Sequence, residues 1–211
     1  MVTATASSTG RRYRGLSAEE RRVDQRERLT RAAINEFSMR GYHRTSVEDI
    51  VRSARTSRTA FYAFFDNRED AMYGALRASL DGLLSSVRRR LSLTESGASL
   101  FEAGVTAYVE FLVADPAAAR ILLLESIGTS PEVNEYRCQV RRDVSKIVRD
   151  IWAEFDPEAA ASPYASAVAV GVFGFLLESM LHLVESGRLE EAPAHVPALV
   201  SAVERILAPT G

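Results

Sequence analysis

At 211 residues the chain is long enough for one small and one medium-sized domain with a sizeable core. Its net charge of −2, taken whole, argues against a nucleic-acid binder. The distribution of charge along the chain points the other way: residues 1–70 carry 14 Arg against 10 Asp+Glu, a net of +4, whereas residues 71–211 carry a net of −6.

In chain order, residues 1–15 (MVTATASSTGRRYRG) are small, polar and unpatterned, which predicts a disordered basic leader. They lack the apolar core of a signal peptide. Arg11, Arg12 and Arg14 are either a loose tail that gains phosphate contacts or a solubilising leader. Ser17 and Glu20 offer a capping box for the polar run that follows, which leads into or extends the first helix.

That helix is set by Leu29, Ala32, Ala33 and Phe37, at i, i+3, i+4 and i+8 on one face. Gly41 supplies a residue able to take a left-handed C′ conformation, so the helix is expected to stop there. A second capping box is read at Thr45-Ser46-Val47-Glu48, followed by Val47, Ile50, Val51 and Ala54 at helical spacing. Arg55 and Thr56 form a short turn, and the Ser57 hydroxyl suits an N-cap. The third helix, Arg58 to about Phe64, carries Phe61 and Phe65 inward and leaves Arg58, Thr59 and Tyr62 on other faces. Asp66-Asn67 is a break, and a fourth helix begins near Arg68.

Residues 71–211 read as all-helical, with no alternating strand pattern and no repeat. Breaks separate helices at about 69–93, 98–114, 117–127, 132–155, 163–186 and 195–208. The stretch 163–186 approaches the apolar content of a membrane span. Glu178 at mid-depth would cost roughly 2.5–3.5 kcal/mol in a bilayer. Ala165, Ala167, Ala169, Gly171 and Gly174 point instead to a helix closely packed by other helices. With Val196, Leu199, Val200, Val203 and Leu207 it would form the four-helix bundle of a dimer. The other reading buries both helices within one monomer.

Three short helices in this arrangement have the dimensions of a helix-turn-helix, which lays one helix into the major groove of DNA. A recognition helix needs polar or cationic side chains at its N-terminal end, and that end offers Arg55, Thr56, Ser57, Arg58 and Thr59. Cations are disfavoured at a helix N-terminus by its dipole, so arginines there point to a polyanion as neighbour. Twenty-five of the 26 cationic residues are arginine; that bias is compositional and does not itself point to DNA.

The segment resembles the N-terminal domain of the TetR family of bacterial transcriptional regulators. The matching positions run without gaps through Leu29, Ala32, Ala33, Phe37, Gly41, Tyr42, Thr45, Ser46, Val47, Ile50, Ala54, Ser57, Phe61, Tyr62, Phe65 and Glu69, about a quarter of the chain. The family's turn glycine is Arg55 here, the common His before the last Phe is Phe64, and the common Lys is Arg68. A non-glycine residue forced to positive φ costs on the order of 1 kcal/mol, so either the turn is built differently or that strain is tolerated.

The resemblance implies an all-α fold of about nine helices, with a helix-turn-helix domain at 16–67 and a helical effector-binding and dimerisation domain at 68–211. It implies DNA contacts from Arg44, Thr45, Ser46, Arg55, Thr56, Ser57, Arg58, Thr59, Tyr62 and Arg68. It implies an effector chamber in the body, for which Phe101, Tyr108, Phe111, Leu122, Glu125, Trp152, Phe173 and Met180 are candidates. The carboxylate of Glu125 is costly to bury alone, and pairs either with a cationic ligand or with an arginine. A dimer interface on Ala167, Gly171, Gly174, Leu199 and Val203 completes the set. The expected partners are a palindromic operator in duplex DNA, a second copy of the chain and a small-molecule effector, in the cytoplasm and away from any membrane.

The expected function is a ligand-released repressor. The alternatives are an activator of the same fold, an architectural DNA-binding protein or an α-helical enzyme. Enzyme and metal chemistry have little to stand on in the sequence. Cys138 has no motif around it, and His43, His182 and His195 are far apart. There is no glycine-rich phosphate loop and no Gly-x-Ser-x-Gly elbow, and no cofactor is expected.

Overall fold

The computed structural model describes residues 17–94, 99–154 and 156–208, and those residues form ten α-helices and no strand. The leader at 1–15, with Arg11, Arg12 and Arg14, lies outside the described residues. The head comprises α1 (Ala18–Arg40), α2 (Val47–Ser53) and α3 (Arg58–Tyr62). The body comprises α4 (Arg68–Leu91), α5 (Ser99–Ala114), α6 (Pro116–Arg120), α7 (Pro131–Ala153), α8 (Pro157–Ala160), α9 (Ala165–Glu185) and α10 (Ala192–Leu207). The tenth helix is α8, one short turn capped by Asp156 where the sequence pattern predicts a single break.

Local signals set most boundaries. Ser17 and Glu20 form the expected capping box, so the polar run belongs to α1 and lengthens it to 23 residues. Gly41 ends that helix at φ 83 and ψ 153, a backbone region open essentially to glycine alone, and not in the left-handed helical conformation expected. Ser57 caps α3 as expected, its hydroxyl accepting from Ala60 N–H at 3.1 Å.

The box at the start of α2 is displaced by one residue. Ser46 and Asp49 form it, not Thr45 and Glu48. Thr45 is buried, and its hydroxyl donates to the carbonyls of Gly41 (2.9 Å) and Glu36 (3.2 Å), which removes it from capping.

One core runs from head to body. It begins with Leu29, Phe37, Ile50, Phe61 and Phe65, continues along α4 through Met72, Leu76 and Leu80, and reaches Leu112 and Ile121. A second cluster holds Phe101, Trp152, Val172, Val203 and Leu207 at the far end. Helix α4 packs on both α1 and α5, α7 packs on α9, and α10 packs on α5 and α9.

The predicted helix at 117–127 is α6 followed at once by a π-turn, Ile121–Glu125. Widened turns of this kind are uncommon and are enriched at functional sites. Both α6 and the π-turn lie against α1, so the body touches the head in two places: through α4, and here.

Candidate DNA interface and effector cavity

The turn between α2 and α3 keeps the geometry that the missing glycine would have made easy. Arg55 sits at φ 51, the one non-glycine residue with positive φ among the described residues. Its neighbours hold it there. Arg55 N–H donates to Arg52 O (3.1 Å) and Thr56 N–H to Val51 O (2.9 Å). From α1, Arg28 Nη2 donates to Ala54 O at 2.8 Å, and Gln25 Nε2 approaches Thr56 Oγ1 at 3.4 Å. The strained residue is thus braced on both sides, which leaves its own side chain exposed and without an ion pair among the described residues.

Around it the expected contact residues divide. Arg44, Ser57, Arg58, Thr59 and Tyr62 are exposed, while Ser46 and Thr56 are half-buried. Arg58 is engaged: its guanidinium pairs with Glu48 of α2 and lies 3.4 Å from the Tyr62 hydroxyl. Tyr62 first, and then Glu48, hold the Arg58 pKa above its ordinary value.

Two expected contacts are corrected. Thr45 is buried, with its hydroxyl spent on main-chain carbonyls, so it positions α2 and does not reach outward. Arg68 turns inward: it lies 4.4 Å over the Tyr42 ring and donates to Thr45 O (3.2 Å) and His43 O (3.4 Å). It braces the loop ahead of α2. That loop is also tied through Asp49, whose carboxyl the Ser46 hydroxyl and N–H hold below the usual range, with Arg40 and Arg52 nearby.

In the body, two apolar cavities of about 70 and 110 Å³ lie among α4, α5, α7 and α9. They share Leu83, Tyr108, Val144 and Phe173 as wall. Of the expected chamber residues, Tyr108, Leu122 and Phe173 line the first, and Phe101, Tyr108 and Phe173 the second. The other four do not line either. Phe111 lies against α4, beside the position a Cβ would take at Gly82. Trp152 and Met180 are buried in the two cores, where large apolar side chains at helical spacing most often go.

Glu125 faces the head. Its Oε1 accepts from Arg120 Nη2 at 2.7 Å and its Oε2 from Tyr42 N–H at 3.2 Å. Arg120 Nε in turn donates to Ser38 O at 2.9 Å, and Arg31 of α1 pairs with Asp115 ahead of α6 at 2.6 Å. Of the two readings open for Glu125, the arginine partner is the one found.

The expected dimer residues divide as well. Ala167, Gly171 and Gly174 are exposed, and a Cβ added at either glycine would meet nothing within 4 Å. Leu199 and Val203 are corrected: both are buried in the chain's own cores. Sequence reasoning missed Val170, exposed on the same stripe of α9, and Arg137, which lines the first cavity. A signal for Arg137 existed, since it interrupts an apolar stripe on α7 formed by Val133, Val140, Val144 and Val148.

Residues 29–71 match the family model for bacterial regulatory proteins of the tetR family. The chain is 29% identical over 112 residues to the HTH-type transcriptional activator FasR of Mycolicibacterium smegmatis, covering 53% of this chain and 51% of that protein. The match therefore spans about half of that relative's length. Among solved structures, the fatty acid degradation regulator FadR from Bacillus halodurans superposes with a TM-score of 0.77 at 17% identity, over 87% of this chain and 95% of that one. The regulator FadR from Bacillus subtilis, solved in complex with stearoyl-CoA, superposes with a TM-score of 0.75 at 15% identity, over 84% and 96%.

Proposed function

We propose that the chain is a DNA-binding transcriptional regulator of the TetR family that acts as a dimeric repressor on a palindromic operator and is released by a small molecule with an apolar body. One observation carries the reading. The π-turn forms part of the cavity wall with Leu122 and Leu123, and its last residue, Glu125, grips the head at Tyr42. A ligand that reshapes the wall therefore acts on the same turn that holds the DNA-reading unit. Such an effector lowers operator affinity to the extent that it prefers the DNA-incompetent arrangement.

In this reading residues 16–67 are the DNA-reading head and 68–211 the sensing and dimerising body. Arg58 and Thr59 read base edges, while Arg44, Ser46, Arg55, Thr56, Ser57 and Tyr62 meet phosphates. The similarity of fold to a protein solved with stearoyl-CoA supports a long apolar chain as the effector's body.

The unpartnered face of α9 supports a second copy as its cover. Ala167, Val170, Gly171, Gly174 and Glu178 fall at i, i+3, i+4, i+7 and i+11 and are exposed. Its most apolar window has a mean hydropathy of 1.9 and is only 28% buried. That is long and apolar enough to cross a membrane, but α9 packs on α7 and α10, and a two-fold partner would cover the remainder. The working compartment is the cytoplasm.

Sedimentation velocity tests the interface. The wild type is expected to run as a dimer and Gly174→Arg as a monomer with weakened operator binding; a Gly174→Arg dimer rejects this face. An activator is the second reading, favoured by the similarity to FasR. A reporter behind the operator separates the two, since deletion of the regulator raises expression for a repressor and lowers it for an activator.

A further inference from the structure

Two arginines line the first cavity, Arg137 and Arg141, and neither pairs with a carboxylate among the described residues; Arg137 is the less exposed of the two. Arg137 of α7 is half-buried, and its Nη1 donates to Leu122 O at 2.9 Å and to Ser126 Oγ at 2.6 Å. Those bonds use two of its five N–H groups. The Nε proton and both Nη2 protons have no partner, and no carboxylate pairs with it, among the described residues. Burial depresses its pKa, and Arg141, one turn further on and lining the same cavity, depresses it more. A half-buried guanidinium with N–H groups to spare and no carboxylate beside it is a ready partner for an anion.

The rest of the chamber has the opposite character. No charged residue lines the second cavity, which ends among Phe101, Ile151 and Val203. Tyr108 stands where the two cavities meet, and its hydroxyl has no partner among the described residues. Charge at one end and hydrocarbon at the other describe the shape of what would fill the space.

We infer that the effector is an amphipathic organic anion whose head group is read by Arg137 and whose apolar tail passes Tyr108 toward Val203. The inference rests on the effector reading above and specifies its ligand. It also supplies the trigger. The atoms that hold Arg137 in place, Leu122 O and Ser126 Oγ, lie in and directly after the π-turn that ends in Glu125. An anion that competes for the guanidinium loosens this grip, and Glu125 transmits the change to Tyr42.

The test is isothermal titration calorimetry on the full chain with three probes of one tail length: octanoate, octanoyl-coenzyme A and 1-octanol. At least one anion is expected to bind about tenfold or more tightly than the alcohol, the size of a charge-assisted hydrogen-bond set. Tight octanoate identifies a free carboxylate as the head group; tight octanoyl-coenzyme A alone identifies phosphate. Arg137→Gln is expected to bring the anion-to-alcohol ratio near one while octanol still binds. Arg137→Lys keeps the charge without the fork, and is expected to keep a reduced preference.

Equal binding of all three probes by the wild type, or a ratio that survives both Arg137 substitutions, overturns the inference while leaving the cavity as an effector site. Failure of every probe to bind rejects the cavity itself, and the inference with it.

Discussion

The main-chain N–H of Tyr42 donates to Oε2 of Glu125 at 3.2 Å, across 83 residues of chain. Tyr42 opens the 3-10 turn that leads into α2, and Glu125 closes the π-turn whose Leu122 and Leu123 line the first cavity. Cavity and DNA-reading helices are therefore one hydrogen bond apart. Arg120 neutralises the carboxylate and anchors it to the end of α1 through Ser38 O.

Replacing Glu125 with Ala removes the acceptor and leaves Arg120 without its partner. A stability loss of about 1–3 kcal/mol is expected from the broken buried bonds. The functional effect is more diagnostic. Effector couplings are typically worth about 1–3 kcal/mol, and most of that should vanish, so operator DNA is retained when effector is added. Fluorescence anisotropy on operator DNA with and without effector measures it, and undiminished release would show that the signal travels by α4 alone.

Arg55 carries a positive φ in place of a glycine. Arg55→Gly relieves strain but gives the unfolded chain more freedom, so a net gain in stability of up to about 1 kcal/mol is expected in chemical denaturation. The same change removes a cation from the proposed interface. The slope of log affinity against log salt should shrink by about one phosphate contact, with base preference unchanged. An unaltered slope would mean that Arg55 does not meet the backbone.

To read a base as proposed, Arg58 would exchange its protein partner for DNA. Its pair with Glu48 is exposed and screened by solvent, so the exchange is inexpensive. Arg58→Ala is expected to weaken specific binding by about 1–3 kcal/mol and relax the preference at one base position. Equal loss on specific and random duplexes would reject base reading. Glu48→Gln should tighten binding to both, because it removes a carboxylate beside the phosphates.

Burial raises the Tyr108 phenol above its ordinary value of 10.0. The folded protein therefore favours the protonated form, while the unfolded chain ionises once pH passes its ordinary value. Stability from this source is intact below about pH 10 and declines as pH rises further. Urea denaturation between pH 8 and 11 should show a decline that Tyr108→Phe reduces; identical curves for the two proteins would place the phenol in contact with water.

What the sequence disclosed follows the range of the forces involved. The longer helices, the Ser17 and Ser57 caps and the inward Phe61 and Phe65 depend on spacing and nearest neighbours and could be read directly, whereas the single-turn α8 and the π-turn at Ile121–Glu125 could not. The cap at α2 slipped from Thr45 to Ser46 because a non-local demand, the carbonyls of Glu36 and Gly41, claimed the threonine hydroxyl. Leu199 and Val203 have the periodicity of an interface and of a core alike, and only packing decides between them. Arg68 is one cation among many in the sequence; the Tyr42 face that captures it comes from another element. Glu125 was visible as an expensive carboxylate, but its partner at Tyr42 depended on the folded topology.

The most direct measurement of the central claim is selection of bound duplexes from a random DNA pool by the purified full chain. A dimer with two recognition helices in successive major grooves should enrich a two-fold symmetric motif with half-sites centred about 10–10.5 base pairs apart, and Arg58→Ala should degrade both halves together. No enriched motif, or one without two-fold symmetry, would contradict the account.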